Sequence, residues 1–119
     1  MKGDDILKVA IIGSRNLHIS NLCEYLPKDT SEIVSGGAKG VDSDAGEFAK
    51  AHNIPFREFL PEYSRYKRGA PFRRNVQICE YADKVLAFWD GKSKGTKYVI
   101  DYCEKHNIAV SVIIVDTTQ

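Results

Sequence analysis

The chain has 119 residues, of which 43% are apolar and 28% charged, and its formal net charge is +1. A chain of this length forms one domain, residues 1–119, with a buried core but without room for a separate substrate domain. Because the net charge is close to zero, the molecule as a whole does not attract nucleic acid, and such binding would need a local basic patch.

Cysteine usage and the lack of long apolar runs predict a cytoplasmic protein. Cys23, Cys79 and Cys103 are widely spaced and form no CxxC pair, which is typical of reduced thiols. Asp4 and Asp5 occupy the N-terminus where a signal peptide needs basic and then apolar residues. No apolar run reaches the roughly 20 residues of a membrane span, so no membrane contact is expected. The three histidines are scattered, and no metal site is predicted.

The first half of the chain alternates apolar runs with helical patterns. Over residues 8–13 the apolar residues follow one another without alternation and several are β-branched, which is typical of a parallel strand buried on both faces. A short helix is expected around residues 19–26. Residues 32–35 predict the second strand, and apolar residues recur at helical spacing over 41–52.

The second half continues the alternation. Residues 55–60 predict a third strand, which Pro55 places at an edge of the sheet. Residues 63–70 are expected to be irregular, and Pro71 suits the first turn of a helix that runs to about residue 81. A fourth strand, a fourth helix and a fifth strand are expected at residues 83–89, 96–106 and 108–115.

Strands that alternate with helices of this length are typical of βαβ units with right-handed crossovers. The prediction is therefore an α/β protein, a single three-layer Rossmann-like domain with about five parallel strands in the order 3-2-1-4-5. In such a sheet, the loops that follow the strands gather at the carboxyl edge, where ligands bind.

A glycine-rich loop, SGGAKGVD at residues 35–42, joins the second strand to the next helix. Glycine lets the backbone approach a phosphate closely, and the helix that follows offers N–H groups and a positive dipole end. We expect Gly36, Gly37 and Gly40 to line a phosphate or ribose, with Ser35 at the mouth of the site. The alternative is a tight connection that needs glycine only for its positive φ angles.

Two further turns of small residues follow predicted strands. Gly13, Ser14 and Arg15 end the first strand, and the sequence DGKSKGT at residues 90–96 follows the fourth. Arg15 would neutralise phosphate charge, while Gly95 and Thr96 would form a second anion contact at the start of the last helix.

The segment 63–75 is basic and contains no acidic residue. Its cations alternate with aromatic residues, and guanidinium groups and aromatic rings are what phosphate binding and base stacking require. A solvated loop and an exposed helix start are the alternative. The basic residues are Arg65, Lys67, Arg68, Arg73 and Arg74.

The common catalytic and nucleotide fingerprints are absent. A P-loop that ended in Gly91-Lys92-Ser93 would need a glycine where Leu86 stands, no GxGxxG follows a strand, and Ser14 lacks the GxSxG context. No catalytic residue is therefore predicted.

In order along the chain, the segments 13–15, 35–42, 69–75 and 88–96 resemble the motifs of the YspA/YpsA-related branch of the SLOG superfamily. The resemblance spans nearly the whole chain. It implies a Rossmann-like fold and a site for a nucleotide or nucleotide derivative, and it implies no particular reaction.

Two relatives within that superfamily give the alternatives. Phosphoribohydrolases of the Lonely Guy type carry the motif PGGxGTxxE, and this chain has Val99 where that motif has its glutamate. An isopropyl group cannot relay protons, so this activity would need Asp42, Asp44 or Asp101 as a substitute. DprA, which binds single-stranded nucleic acid, has a similar SGxAxGxD loop and an arginine-asparagine helix start, which Arg74 and Asn75 resemble.

The prediction is a module that binds a nucleotide or nucleotide derivative, with a sensor as one form of it, and the sequence predicts no particular cofactor beside this ligand. Asp42 would orient the glycine loop or bind a ribose hydroxyl, or is simply an acid at a helix start. Trp89 is either a base platform or, as its place at a strand end favours, part of the core. Excess apolar surface on residues 96–106 predicts a homodimer. The full ligand-binding set is Gly13, Ser14, Arg15, Ser35, Gly36, Gly37, Lys39, Gly40, Asp42, Arg74, Asn75, Asp90, Ser93, Gly95 and Thr96.

Overall fold

The contiguous apolar run near the N-terminus forms the central strand of a five-stranded parallel sheet. In the computed structural model, which describes residues 6–37 and 39–116, this strand is β1 (Lys8–Gly13). It pairs with β2 (Glu32–Ser35) on one side and β4 (Lys84–Trp89) on the other. Because both neighbours are parallel and helices cover both faces, the residues inside β1 are buried without alternation.

The edge strands are β3 (Phe56–Glu58), beside β2, and β5 (Val110–Ile114), beside β4. The order β3-β2-β1-β4-β5 confirms the predicted fold class and strand order. Strand β3 is shorter than residues 55–60, and all three of its residues are exposed. Its edge position agrees with the proline that precedes it.

Side chains that alternate along β1 and β4 pack into two separate cores. Val9 and Phe88 belong to the core beneath α1 (Val41–Ala51). Ala10 and Ala87 belong to the opposite core, which contains residues of α3 (Ala70–Tyr81) and α4 (Lys94–Lys105). The sheet is thus the middle of three layers, and α3 and α4 share one face. None of the helices in the described part of the chain is long and apolar enough to cross a membrane.

The helix expected at residues 19–26 was wrong in extent, since only a 3₁₀ turn forms there, Leu22–Glu24. Residues before this turn also make contacts with α1. The N–H of Ile19 donates to Asp44 Oδ2 at 2.6 Å, and the Leu17 side chain is buried in the core under α1. These contacts replace the hydrogen bonds that a longer helix would make.

The segment 63–70, expected to be irregular, is regular. It contains the single helical turn α2 (Tyr63–Tyr66) and a 3₁₀ turn, Lys67–Gly69, that leads directly into α3. The carbonyl of Glu62 accepts from the N–H groups of Arg65 and Tyr66, which closes the first turn. Lys67 then adopts a φ of +56° and ends it.

Candidate functional site

The loops that follow β1, β2 and β4 meet at the carboxyl edge of the sheet around a cavity of about 470 Å³, here called the edge cavity. The amino ends of α1, α3 and α4 also reach it. Ten residues of the predicted ligand-binding set line this cavity: Gly13, Arg15, Gly36, Gly37, Asp42, Arg74, Asn75, Ser93, Gly95 and Thr96. Three loops far apart in sequence therefore converge as the strand order requires.

Arg74 is the half-buried cation of the edge cavity. Its Nη1 donates to the carbonyl of Gly36, and its Nε donates to Asn75 Oδ1 at 2.9 Å. A guanidinium has five N–H groups, so these two bonds use a minority of its donors. Burial lowers the pKa of Arg74, and the negative charge of Asp42 opposes that shift.

Gly36 is required by this arrangement. A Cβ at this position would stand 2.7 Å from Arg74 Nη1 and 3.0 Å from Asp42 Oδ2. Asp42, in the first turn of α1, is only 6% exposed. A carboxylate there is stabilised by the helix dipole and by the neighbouring guanidinium, and the side chains of Asp42 and Arg74 both lie close to Gly36.

Gly40 has a structural role in the same loop. Its φ is +75°, and a Cβ on it would lie 2.5 Å from the carbonyl oxygen of Arg15. Gly40 is the residue before α1 and is buried, and Lys39 beside it is exposed. Neither lines the edge cavity. Ala38, the middle of the predicted motif, lies outside the described residues.

Ser35 was expected at the mouth of the site, and this was wrong. Its side chain is fully buried, and its Oγ donates to the carbonyl of Ile11 at 3.1 Å. Ser35 is the last residue of β2, and its hydroxyl points toward the neighbouring strand. It therefore joins two strands beneath the glycine loop.

Ser14 and Asp90 connect the first and third loops. The N–H of Asp90 donates to Ser14 Oγ at 3.3 Å, and Ser14 is buried. Asp90 Oδ1 accepts from the N–H groups of Ser93 at 2.8 Å and Lys92 at 2.9 Å. These bonds stabilise the carboxylate and lower the pKa of Asp90. Ser14 and Asp90 thus shape the loop before α4 and do not line the edge cavity.

The start of α4 presents Ser93, Gly95 and Thr96 to the edge cavity. Ser93 is the N-cap, since its Oγ accepts from the N–H of Thr96 at 3.4 Å. Trp89 Nε1 donates to the carbonyl of Ser93 at 2.9 Å, and the ring packs against the core under α3 and α4. Trp89 does not line the edge cavity and so fits the core alternative. Phe88 is fully buried in the core beneath α1.

Sequence reasoning did not assign the apolar wall of the edge cavity. Four residues of this wall lie between positions 61 and 72. Pro61 and Tyr63 belong to the connection after β3, and Pro71 and Phe72 belong to the first turn of α3. The aromatic residues of the basic stretch were the sequence feature that could have indicated this wall. The sequence alone does not show which of them face the cavity, because that depends on the three-dimensional fold.

The other basic residues of that stretch do not converge on the edge cavity. The guanidinium groups of Arg65 and Arg73 each lie 5.1 Å from the centre of the Tyr66 ring. Lys67 and Arg68 are exposed. The predicted basic cluster therefore divides into Arg74, inside the edge cavity, and a surface group around Tyr66.

The fold and the site together define a Rossmann-like α/β domain with a cavity at the carboxyl edge of its parallel sheet. Comparison with protein-family models, curated proteins and solved structures gives no significant match for this chain. Within residues 6–37 and 39–116, no group of three or more His, Cys, Asp or Glu side chains is arranged to hold a metal ion.

Proposed function

We propose that this domain binds a nucleotide or nucleotide derivative in the edge cavity, as the resemblance to the SLOG superfamily implies. The observation that carries the proposal is the convergence of Arg15, Arg74, the glycine loop and the amino ends of α1 and α4 on one cavity. First-turn N–H groups have no partner within their own helix and favour anions. Together with two guanidinium groups, they suit a phosphate.

The size of the cavity supports a ligand larger than a phosphate ion. At about 470 Å³ it falls in the range of small-molecule sites, which is about 300–1,000 Å³. The glycine backbone at Gly36 and Gly37 keeps side chains out of one side of this space.

The environment of the carboxylates favours binding over hydrolysis. Val99, at the position of the Lonely Guy glutamate, is 2% exposed and contributes an apolar side chain to the cavity wall. Of the three carboxylates considered as substitutes, Asp101 pairs with Lys97 on an exposed helix face, and Asp44 accepts from the Ile19 N–H. Only Asp42 lines the edge cavity, where it lies beside Arg74.

Thermal unfolding with a panel of nucleoside phosphates, dinucleotides and ADP-ribose tests the proposal. At a ligand concentration one hundred times the dissociation constant, stabilisation is about 2.7 kcal/mol, or on the order of a 10 °C rise in Tm. We expect Arg74→Ala to weaken binding by about 10- to 150-fold, since a hydrogen bond to a charged group is lost.

Arg73→Ala is the matched control, because Arg73 is the preceding residue of α3 and lies over Tyr66. It should leave the ligand-induced shift unchanged. Arg74→Lys, which retains the charge but not the planar fork, covers the case in which the alanine variant is unstable. No shift across the panel, or equal losses in the Arg73 and Arg74 variants, would contradict the proposal.

A further inference from the structure

The edge cavity has walls of two chemistries. The loops after β1, β2 and β4 supply backbone, hydroxyl and charged groups. The other wall combines Pro61 and Tyr63 of the connection after β3 with Pro71 and Phe72 of the first turn of α3, so it contains two prolines and two aromatic rings. A phosphate group uses only the first of these walls and fills only part of the volume.

The aromatic rings of this wall are exposed to an unusual degree for large apolar side chains. Tyr63 is 59% exposed and Phe72 is 49% exposed. An aromatic side chain left half in water beside a concave site gains free energy when a flat apolar surface covers it. The wall therefore favours a ligand with a planar ring.

The Phe72 ring is also held in place from the side. The Tyr98 ring of α4 contacts it in an edge-to-face arrangement, with centroids 5.1 Å apart and planes at 73°. Pro71 precedes Phe72 and fixes the backbone at the start of α3. A ring positioned before the ligand arrives loses little rotamer freedom on binding. Tyr98 is thus a positioning residue.

Tyr63 relates the aromatic wall to the cation. Tyr63 and Arg74 both line the edge cavity. The aromatic and phosphate-binding groups are therefore parts of one site, close enough to contact a single small ligand.

We infer that the wall formed by Tyr63 and Phe72 binds the heteroaromatic base of a nucleoside phosphate whose phosphate lies against Arg15, Arg74 and the glycine loop. This inference rests on the proposed function and narrows it, because it distinguishes a nucleoside phosphate from a sugar phosphate. Base stacking on an aromatic side chain contributes about 5- to 150-fold in affinity per ring.

Calorimetric titration of the whole chain with the four nucleoside 5′-monophosphates and with ribose 5-phosphate tests this inference. We expect the best nucleoside monophosphate to bind at least about 10-fold more tightly than ribose 5-phosphate. Phe72→Ala should remove most of that difference and leave the affinity for ribose 5-phosphate unchanged. Phe56→Ala is the matched control, because Phe56 is 37% exposed at the start of β3 and does not line the edge cavity.

The positioning role of Tyr98 has its own readout. Tyr98→Phe keeps the ring against Phe72 and should retain the preference for the nucleotide, whereas Tyr98→Ala should reduce it. A variant that merely lost stability would change both affinities together.

Each other outcome overturns the inference in a recognisable way. Equal affinity for nucleotides and ribose 5-phosphate in the unmodified protein would refute base binding and leave the proposed function standing. Equal losses for both ligands in Phe72→Ala would mean that the ring only shapes the cavity. A change in oligomeric state with unchanged nucleotide affinity would mean that the wall is a protein interface. If no nucleotide binds, the proposed function itself fails.

Discussion

The molecule has a second cavity, on the α1 side of the sheet, which is nearly as large as the edge cavity and quite different in charge. This α1 cavity has a volume of about 380 Å³ and is lined by Asp44 and Glu47, with Phe48, His52 and His18 around them. No arginine or lysine lines it in the part of the chain that the structure describes. The edge cavity has Arg15 and Arg74.

The polar groups of the α1 cavity are used to hold the chain together. Asp44 accepts from the Ile19 N–H and lies 3.2 Å from His18 Nδ1, while the His52 ring stacks on Phe48. In the edge cavity, Arg15 is exposed, and the bonds of Arg74 to Gly36 and Asn75 involve two of its five N–H groups. Charge and the direction of hydrogen-bond donors, more than volume, distinguish the two cavities as candidate sites for a phosphate.

The largest expected effect on nucleotide binding comes from substituting a glycine of the edge cavity and comparing it with a control glycine in α1. Gly36→Ala would place Cβ 2.7 Å from Arg74 Nη1, so the guanidinium must move. We expect a loss of about 1–3 kcal/mol of unfolding free energy and at least about a 10-fold loss of nucleotide affinity.

Gly46→Ala is the control within α1. A Cβ there would meet only the Phe56 ring at 3.4 Å. Alanine in a helix interior should raise the unfolding free energy by about 0.5–1 kcal/mol and leave nucleotide affinity unchanged. Chemical denaturation and calorimetry measure both quantities. Equal binding losses in the two variants would remove the special role of the glycine loop.

Single-stranded nucleic acid provides a smaller and separable effect. The surface arginines around Tyr66 would contact phosphates outside the edge cavity. Binding of a short oligonucleotide should be micromolar or weaker, with a salt dependence of about 0.7 in logarithmic slope per phosphate contact. Arg73→Ala should weaken it more than it weakens nucleotide binding. A nanomolar complex at about 150 mM salt would instead favour the DprA-like alternative.

The smallest expected effect concerns acid stability of the loop before α4. The pKa of Asp90 is lowered in the folded protein by the N–H groups of Ser93 and Lys92. Its contribution to stability is therefore fully present above the unfolded pKa of about 4 and is lost as pH falls through the lower folded value.

Urea denaturation of the unmodified protein and of Asp90→Asn at several pH values measures this contribution. The difference in unfolding free energy between them should be larger at pH 6 than at pH 3. The same difference at both pH values would show that the Asp90 charge does not stabilise the loop.

Periodicity was sufficient to predict the sheet and insufficient to predict what the connections do. The run at β1 and the apolar residues of β4 are contiguous because both faces are covered, and that pattern needs no tertiary information. The chain before the Leu22–Glu24 turn depends on Asp44, 25 residues after Ile19. Contacts over such separations leave no local pattern.

The position of the site could likewise be predicted from the sequence, whereas the direction of individual side chains could not. Ten of the predicted residues line the edge cavity, and eight of them belong to the segments 13–15, 35–42 and 90–96, which a parallel sheet places at one edge because they follow strands. Ser35, Ser14 and Asp90 were assigned to the ligand from residue type alone, but their hydrogen bonds lie within the protein. A hydroxyl or carboxylate in a motif does not show in which direction it points.

The wide spacing of the three cysteines in the sequence, from which reduced thiols were predicted, does not show which of them lie close together in the fold. Cys79 and Cys103 are widely spaced in the chain, yet their Sγ atoms lie 3.6 Å apart between α3 and α4. The hydrogen bond with Cys103 and burial raise the pKa of Cys79, while Cys23 is exposed. Packing of two helices on one face of the sheet brings the pair together.

The proposed function requires a nucleotide to bind in the edge cavity and not in the α1 cavity, in contact with the glycine loop and the start of α4. Titration of ¹⁵N-labelled protein with nucleoside 5′-monophosphates, followed by amide chemical shifts, tests it most directly. We predict saturable shifts at Gly36, Gly37, Gly95 and Thr96, with Ile19 and Phe48 unmoved. Shifts centred on Ile19 and Phe48, or no saturable shifts with any of the nucleotides, would contradict the account.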